Sequence, residues 1–348
     1  MLDAPAGDAF ERIEGFLATH RGLPADLYLG YGLTGAGPPE PCPLPAAACR
    51  VGERDAPSGS DAAGARYTVG AWEPTWTPEQ HRAAIEEVRA AIGRGDVYQV
   101  NLVQHLRAPF RGDPAGVERA LAPLGAEFAA AMHGDGWSVV SATPELFLRT
   151  RGDRVWTMPI KGTRPADSTE PIAASGKDRA EHVMIVDLER NDLGRVCVPG
   201  SVRVSAFLEE RPMAGVRHLV STVEGRLRPG VGLAELLRAT FPGGSITGAP
   251  KLAAIEHIAA LEPVGRGASM GAIGRVHPNG DLDLGLTIRT FAIAGGEIHL
   301  WVGGGIVWDS DPGGEVEESL VKARPLLRRL SAGAGDPRDG GVRIAARG

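Results

Sequence analysis

Three consecutive glycines inside a strand-like run, Val302-Gly303-Gly304-Gly305-Ile306-Val307, constrain this chain more than any other stretch. Glycine in a strand forgoes side-chain packing and costs conformational entropy, so a fold that keeps three of them needs bare backbone there. A bulge meets that need, and so does a ligand lying against the strand; we take the ligand reading. The run then calls for backbone that a ligand can approach closely.

The rest of the sequence supplies further strands. Strand patterns fall at Val97–Leu106, Val139–Arg149, Arg154–Ile160, Val202–Phe207, Val216–Leu227, Ala272–Val276, Asp283–Ala292 and Glu297–Trp308, with a hairpin turn at Pro278-Asn279-Gly280-Asp281. Within Val97–Leu106, Gln99, Asn101 and His105 share one face, either solvated or lining a cleft. Thr77-Pro78-Glu79-Gln80 is a capping box with proline at the first helical position, and Gly95 is the matching stop. Further helices are expected at about Lys177–Leu193, Lys251–Leu261 and Glu315–Leu330, the last carrying Pro325. At 348 residues and 43% hydrophobic, the chain has material for a substantial core. We expect an N-terminal arm over 1–70, whose Pro38–Gly64 stretch reads as a long connection, one α+β domain over 71–330, and a disordered tail over 331–348.

Charge and composition narrow the partners. A formal net charge of −6 with no basic run argues against nucleic acid, and no apolar run approaches a membrane span. Cys42, Cys49 and Cys197 form neither a CxxC pair nor an even framework, so a reducing cytoplasm is expected. Cys197, in Arg195-Val196-Cys197-Val198-Pro199, lacks the glycine elbow and histidine of a glutaminase nucleophile.

Several side chains stand out for chemistry. Lys161, in Pro159-Ile160-Lys161-Gly162-Thr163, follows an apolar dipeptide. Read alone it fits a surface lysine at a strand end, or a partly desolvated amine suited to nucleophilic use. Glu181 shares a helix face with Met184, Ile185 and Leu188, so it either needs a cation or sits at the stripe's edge. His218 lies in a strand, where a lone histidine is more often structural than catalytic. Arg289, in Leu286-Thr287-Ile288-Arg289-Thr290, is a charge in a β-branched strand and requires a partner. Glu318 and Lys322, one turn apart, form at least an i,i+4 pair. Gly243–Lys251 is a glycine-rich loop whose amides could hold an anion, although it is not a P-loop.

Taken together, Gly95–Leu102, Thr143-Pro144-Glu145-Leu146-Phe147, Pro159–Thr163, Asp178-Arg179-Ala180-Glu181, Asp187–Arg195, His218–Ser221, the Gly243–Lys251 loop, Thr287–Thr290, Gly303–Val307 and Glu318–Lys322 stand in one order. The set resembles the chorismate-utilising enzymes: anthranilate and aminodeoxychorismate synthase components I, and the isochorismate and salicylate synthases. The resemblance covers roughly residues 70–330. It implies two large antiparallel sheets packed around a central cleft with helices outside, and chorismate and Mg²⁺ as ligands. It places the metal on Glu181 and Glu318, and chorismate on Gly162, Thr163, Arg289, Gly303, Gly304, Gly305 and Lys322. His218 matches an active-site histidine and Glu145 the family's acid.

Two positions bear on the reaction. Members that add water carry a lysine base where this chain has Gln99, which cannot deprotonate water. Anthranilate synthases have alanine at the position of Lys161, whereas aminodeoxychorismate synthases have lysine. The resemblance therefore implies amination of chorismate to 4-amino-4-deoxychorismate, the precursor of p-aminobenzoate and so of folate. On the same resemblance Lys161 is expected as its nucleophile, with ammonia from a separate glutamine amidotransferase subunit and a separate lyase acting on the product. Anthranilate synthesis with release of pyruvate is the nearer alternative; a non-catalytic chorismate-binding subunit is the farther one. Two departures stand out. Ser269 occupies a usually aromatic, substrate-side position, and the relatives' tryptophan-binding segments are not recognisable near Pro123–Phe128.

Overall fold

Two antiparallel sheets share the chain, and it passes between them more than once. The computed structural model describes residues 1–4, 7–52, 66–165, 171–172, 176–213 and 216–333. Residues 334–348, most of the expected tail, lie outside them, as does part of the connection read between Pro38 and Gly64.

Among the described residues the first sheet has ten strands, in the order Leu2–Ala4, Ala47–Val51, Ala25–Leu29, Ala272–Val276, Leu282–Leu286, Leu146–Arg151, Arg154–Met158, Val216–Arg226 and Ile160–Pro165, with Arg203–Met213 also on Val216–Arg226. The second has eight: Gly248–Ala249, Gln99–Gly112, Glu297–Ile306, Thr290–Ala294, Trp137–Ser141 and Ala130–Gly134, with Tyr67–Val69 and Glu73–Pro74 also on Gln99–Gly112. The first fifty residues, expected as an arm with little signal, thus supply three strands of the first sheet, and Leu29 pairs with Ala272.

Seven helices flank the sheets among the described residues: α1 (Ala9–Thr19), α2 (Pro78–Arg94), α3 (Ala115–Leu121), α4 (Gly176–Gly194), α5 (Leu233–Thr240), α6 (Lys251–Leu261) and α7 (Pro312–Gly333). The capping box of α2 forms as expected. Gln80 N donates to Thr77 Oγ1 (3.3 Å), Thr77 N donates to Gln80 Oε1 (2.9 Å), and Gly95 ends the helix at φ 83°. Pro325 lies inside α7.

One core joins the sheets through side chains such as Leu27, Leu29, Val100, Leu102, Leu148, Val155 and Leu284. A second, with Leu106, Phe110, Phe291, Leu326 and Leu330, joins α7 and α3 to the second sheet. Each fully buried leucine there contributes roughly 1.5–3 kcal/mol.

Two expected strands are corrected. Val139–Arg149 is broken into Trp137–Ser141 in the second sheet and Leu146–Arg151 in the first. Asp283–Ala292 is likewise broken into Leu282–Leu286 in the first and Thr290–Ala294 in the second. Pro144 has no N–H to give a ladder, and Arg289 takes a left-handed φ of 51°, so neither run can continue straight. The two crossings pair with each other: Ala142 N donates to Arg289 O (3.1 Å) and Leu286 N donates to Glu145 O (2.9 Å).

Candidate active site

The crossings deliver two charged side chains to the space between the sheets. Glu145, on the first, is 4% exposed. Its Oε1 accepts from Ser245 Oγ (2.6 Å) and from Ile160 N (3.4 Å). Burial pushes its carboxyl up to about 7, against the opposing pull of the Ser245 hydrogen bond and the Lys161 and Arg289 charges. Arg289, on the second crossing, is half-buried, and burial lowers its pKa while Glu145 raises it. Its guanidinium makes no hydrogen bond or ion pair among the described residues. Arg289 therefore lies in a crossing and not, as expected, within a strand, and its fork is suited to an incoming carboxylate.

Lys161, on the Ile160–Pro165 strand, points inward. Nζ donates to Glu181 Oε1 (2.6 Å) and to Ser245 O (3.1 Å), and both ion-paired side chains are 11% exposed. The reading as a surface lysine is excluded. Glu181 Oε1 also accepts from Gln99 Nε2 (2.8 Å). The polar strand face read as solvated or cleft-lining is interior: Gln99, Asn101 and His105 are all buried. A Cβ on Gly305 would overlap with Gln99 Nε2 and Glu181 Oε1, so glycine here lets both side chains keep their positions.

Gly162 takes φ 62°, and a Cβ there would meet Ile172 Cγ2 at 2.5 Å. Its carbonyl accepts from His218 Nδ1 (2.9 Å), which fixes the imidazole with Nε2 as its acceptor; burial depresses the ring's pKa, so it is neutral. Thr163 follows in the strand, paired with His218 across a register shift.

Gly303 and Gly304 lie beside α7. A Cβ on Gly303 would overlap with the Leu102 carbonyl. One on Gly304 would lie 3.3 Å from Lys322 Nζ, 3.6 Å from Glu315 Oε2 and 3.8 Å from Glu318 Oε1. Lys322 Nζ donates to Gly303 O (2.9 Å) and pairs with Glu318 (2.8 Å), both side chains about half exposed. Carboxylates from α4 and α7 thus reach neighbouring glycines of one strand. Among the described residues no three His, Cys, Asp or Glu side chains stand together as a complete metal cage.

The Gly243–Lys251 loop binds protein groups. Lys251 Nζ donates to Asp192 Oδ2 (2.5 Å), Thr240 O (3.1 Å) and Pro242 O (2.6 Å), which makes this lysine a structural tie. Arg266, fully buried, donates to Ile246 O (2.9 Å), Asn101 O (2.7 Å) and both oxygens of Glu262 (2.7 and 2.8 Å).

Comparison with known proteins gives the family. Residues 43–328 match the chorismate binding enzyme family. The chain belongs to that family. It is 43% identical over 271 residues to aminodeoxychorismate synthase component 1 of Klebsiella aerogenes, covering 75% of this chain and 60% of that protein. It is 41% identical over 277 residues to anthranilate synthase component 1 of Streptomyces coelicolor, covering 76% and 54%. The chain thus spans about three fifths of the length of these curated relatives. Its fold matches anthranilate synthase component I of Streptococcus pneumoniae with a TM-score of 0.77 at 26% identity, covering 88% of this chain and 80% of that one. The expected α+β fold of two packed antiparallel sheets is that of the family.

Within this fold, sequence reasoning missed four groups. Ser245 was hidden in a loop read for its backbone. Glu315, buried and accepting from Ser310 Oγ (2.7 Å), stands three residues before Glu318, a helical spacing that was legible. Glu189 on α4 is 7% exposed, and burial together with Glu145 raises its carboxyl well above the usual range. His182 is fully buried with Nε2 on Ser221 Oγ (2.7 Å), and burial lowers it to about 4, so it is neutral. Ser269, expected on the substrate side, is fully buried and donates to Thr287 O (3.4 Å). The three cysteines are free and buried, and among the described residues no helix is long and apolar enough to cross a membrane.

Proposed function

We propose that this chain aminates chorismate to 4-amino-4-deoxychorismate, with Lys161 as the covalent nucleophile. The observation that carries the reading is the joining of Lys161 and Glu145 through one residue: Ser245 accepts from the amine and donates to the acid. Once the Lys161 ammonium has lost a proton to solvent, the neutral amine forms a bond to C2, shifts both ring double bonds and expels the C4 hydroxyl. Glu145, held protonated by burial, gives that hydroxyl its proton, so it leaves as water. Ammonia then bonds C4, the double bonds return, and the Lys161 amine leaves. Glu145 takes back the proton from the incoming nitrogen. Two displacements at one face explain why nitrogen ends where oxygen began.

Arg289 and Lys322 would grip the substrate carboxylates, and the bare amides of Gly303–Gly305 let the ring lie against the strand. Mg²⁺ fits the donor set. Glu181 and Glu318 are hard oxygen donors facing neighbouring glycines, and the ammoniums of Lys161 and Lys322 now balance their charge. When bound, the ion would neutralise a substrate carboxylate. Engagement of Glu181 elsewhere would also release Lys161 from its ion pair.

Ammonia would be supplied by a separate glutamine amidotransferase, and a separate lyase would act on the product, in a cytoplasmic route to p-aminobenzoate and folate. Anthranilate synthesis is the second reading, favoured by relatives of nearly equal identity that carry that name. Chromatography of the product from chorismate, Mg²⁺ and ammonium separates the two. Lys161→Ala should lower formation of 4-amino-4-deoxychorismate at least a hundredfold; formation at the wild-type rate rules out the covalent role.

A further inference from the structure

We propose that Ser245 is a positioning residue whose hydroxyl decides which oxygen of Glu145 carries the acid proton. The inference rests on the reading of Glu145 as the acid and adds a residue to it.

The geometry is one-sided. Ser245 Oγ (2.6 Å) and Ile160 N (3.4 Å) both reach Oε1. With Ser245 Oγ and Ile160 N donating to its two lone pairs, Oε1 has no place for the carboxyl proton, which is left on Oε2. Without the serine, the proton is free to sit on either oxygen, and a proton on Oε1 points back towards Ile160.

The serine is itself held in place. It is 5% exposed at the centre of the Gly244–Ile246 turn. Arg266 Nη1 ties the next carbonyl, Ile246 O (2.9 Å). Thr247 Oγ1 donates back to Gly243 O (3.0 Å) and Gly244 O (3.2 Å), and Thr247 O accepts from Asn101 N (2.7 Å). Leu188 of α4 packs against Gly244, where a Cβ would come within 3.0 Å of it. Ser245 O meanwhile accepts from Lys161 (3.1 Å), so one rigid turn sets the acid through a side chain and the amine through the backbone. Replacing the side chain leaves the second contact in place, and this isolates the hydroxyl.

The charged groups facing Glu145 are Lys161 on its strand, Arg289 on the neighbouring crossing and Glu189 on α4. Against them the Ser245 hydrogen bond lowers the pKa of Glu145. Its removal therefore raises that pKa, the acid stays protonated to higher pH, and the basic limb of the rate profile moves up.

The test measures chorismate consumption from pH 5.5 to 9 with Mg²⁺ and ammonium in wild type, Ser245→Ala and Ser245→Thr. Unfolding midpoints show that each variant is folded. Ser245→Ala should lose roughly tenfold to a hundredfold in kcat and shift the basic limb to higher pH. Ser245→Thr keeps the hydroxyl and should hold the limb at the wild-type position. Wild-type kcat in Ser245→Ala, a lowered kcat with the limb unmoved, or a displaced limb in Ser245→Thr overturns the proposal. Consumption of chorismate reports on Ser245 whichever product forms. A wild type that makes no 4-amino-4-deoxychorismate overturns the amination reading instead.

Discussion

Burial raises the Glu145 carboxyl from its usual 4.5 to about 7, and the same burial costs stability. Between those two values the folded state holds a proton that the unfolded chain has released. Stability is therefore greatest below pH 4.5 on this group's account and falls as pH rises through 7. The difference amounts to roughly 3 kcal/mol above pH 7. Glu145→Gln carries no charge to bury and should be more stable than wild type at pH 8, with the advantage shrinking towards pH 5. Thermal unfolding at both pH values checks it; equal gains at both would remove the titration argument. The same variant should lose activity. How much of this was legible varies by residue. Lys161 and Glu145 stood out through their motifs, but the motifs said nothing of the serine that joins them. A hydroxyl in a glycine-rich turn looks the same whether it faces solvent or a buried acid. Glu315 was readable from its spacing to Glu318 alone.

The glycine strand was the most constraining element of the sequence, and its three positions now have separate reasons. A side chain at 303 would strike the Leu102 carbonyl, which is backbone of the neighbouring strand and cannot move alone. One at 305 would strike the ends of Gln99 and Glu181, which can swing aside. Gly303→Ala should therefore destabilise the fold by about 1–3 kcal/mol. Gly305→Ala should leave unfolding by urea nearly unchanged, yet displace Glu181 from Lys161 and lower activity at least tenfold. Stability and chorismate turnover measured on both variants decide it, and the assignment fails if both lose stability equally. At this scale the helices and the glycine strand were readable because capping and alternation are local. The two broken strands were not. Pro144 is a local sign of the first break, but alternation continues across 287–289, and neither stretch reports that the partner strand changes from one sheet to the other.

Where the sheets meet, a fully buried ion pair ties the molecule together. Glu262 and Arg266 side chains are 2% and 1% exposed. Arg266 reaches Asn101 O in the second sheet, Ile246 O in the turn bearing Ser245, and the Tyr31 ring just beyond the Ala25–Leu29 strand, at 4.7 Å. Glu262 Oε1 also accepts from Val103 N (3.0 Å), and burial raises its carboxyl above the usual range although Arg266 opposes this. The sequence hid the pair because Pro263 and Gly265 between them break any helical pattern. A buried pair of this kind gains little over an apolar substitute, but half of it is costly. Arg266→Ala leaves Glu262 buried without its cation and should cost about 3–5 kcal/mol. The double variant Glu262→Leu/Arg266→Met buries no charge and should regain much of that loss. It should not regain the rate, because Ile246 O and the turn bearing Ser245 lose their brace. Urea unfolding and chorismate turnover on the single and double variants separate the two roles. If the double variant recovers both, the pair serves stability alone, and the turn is held by its remaining bonds from Thr247 and Lys161.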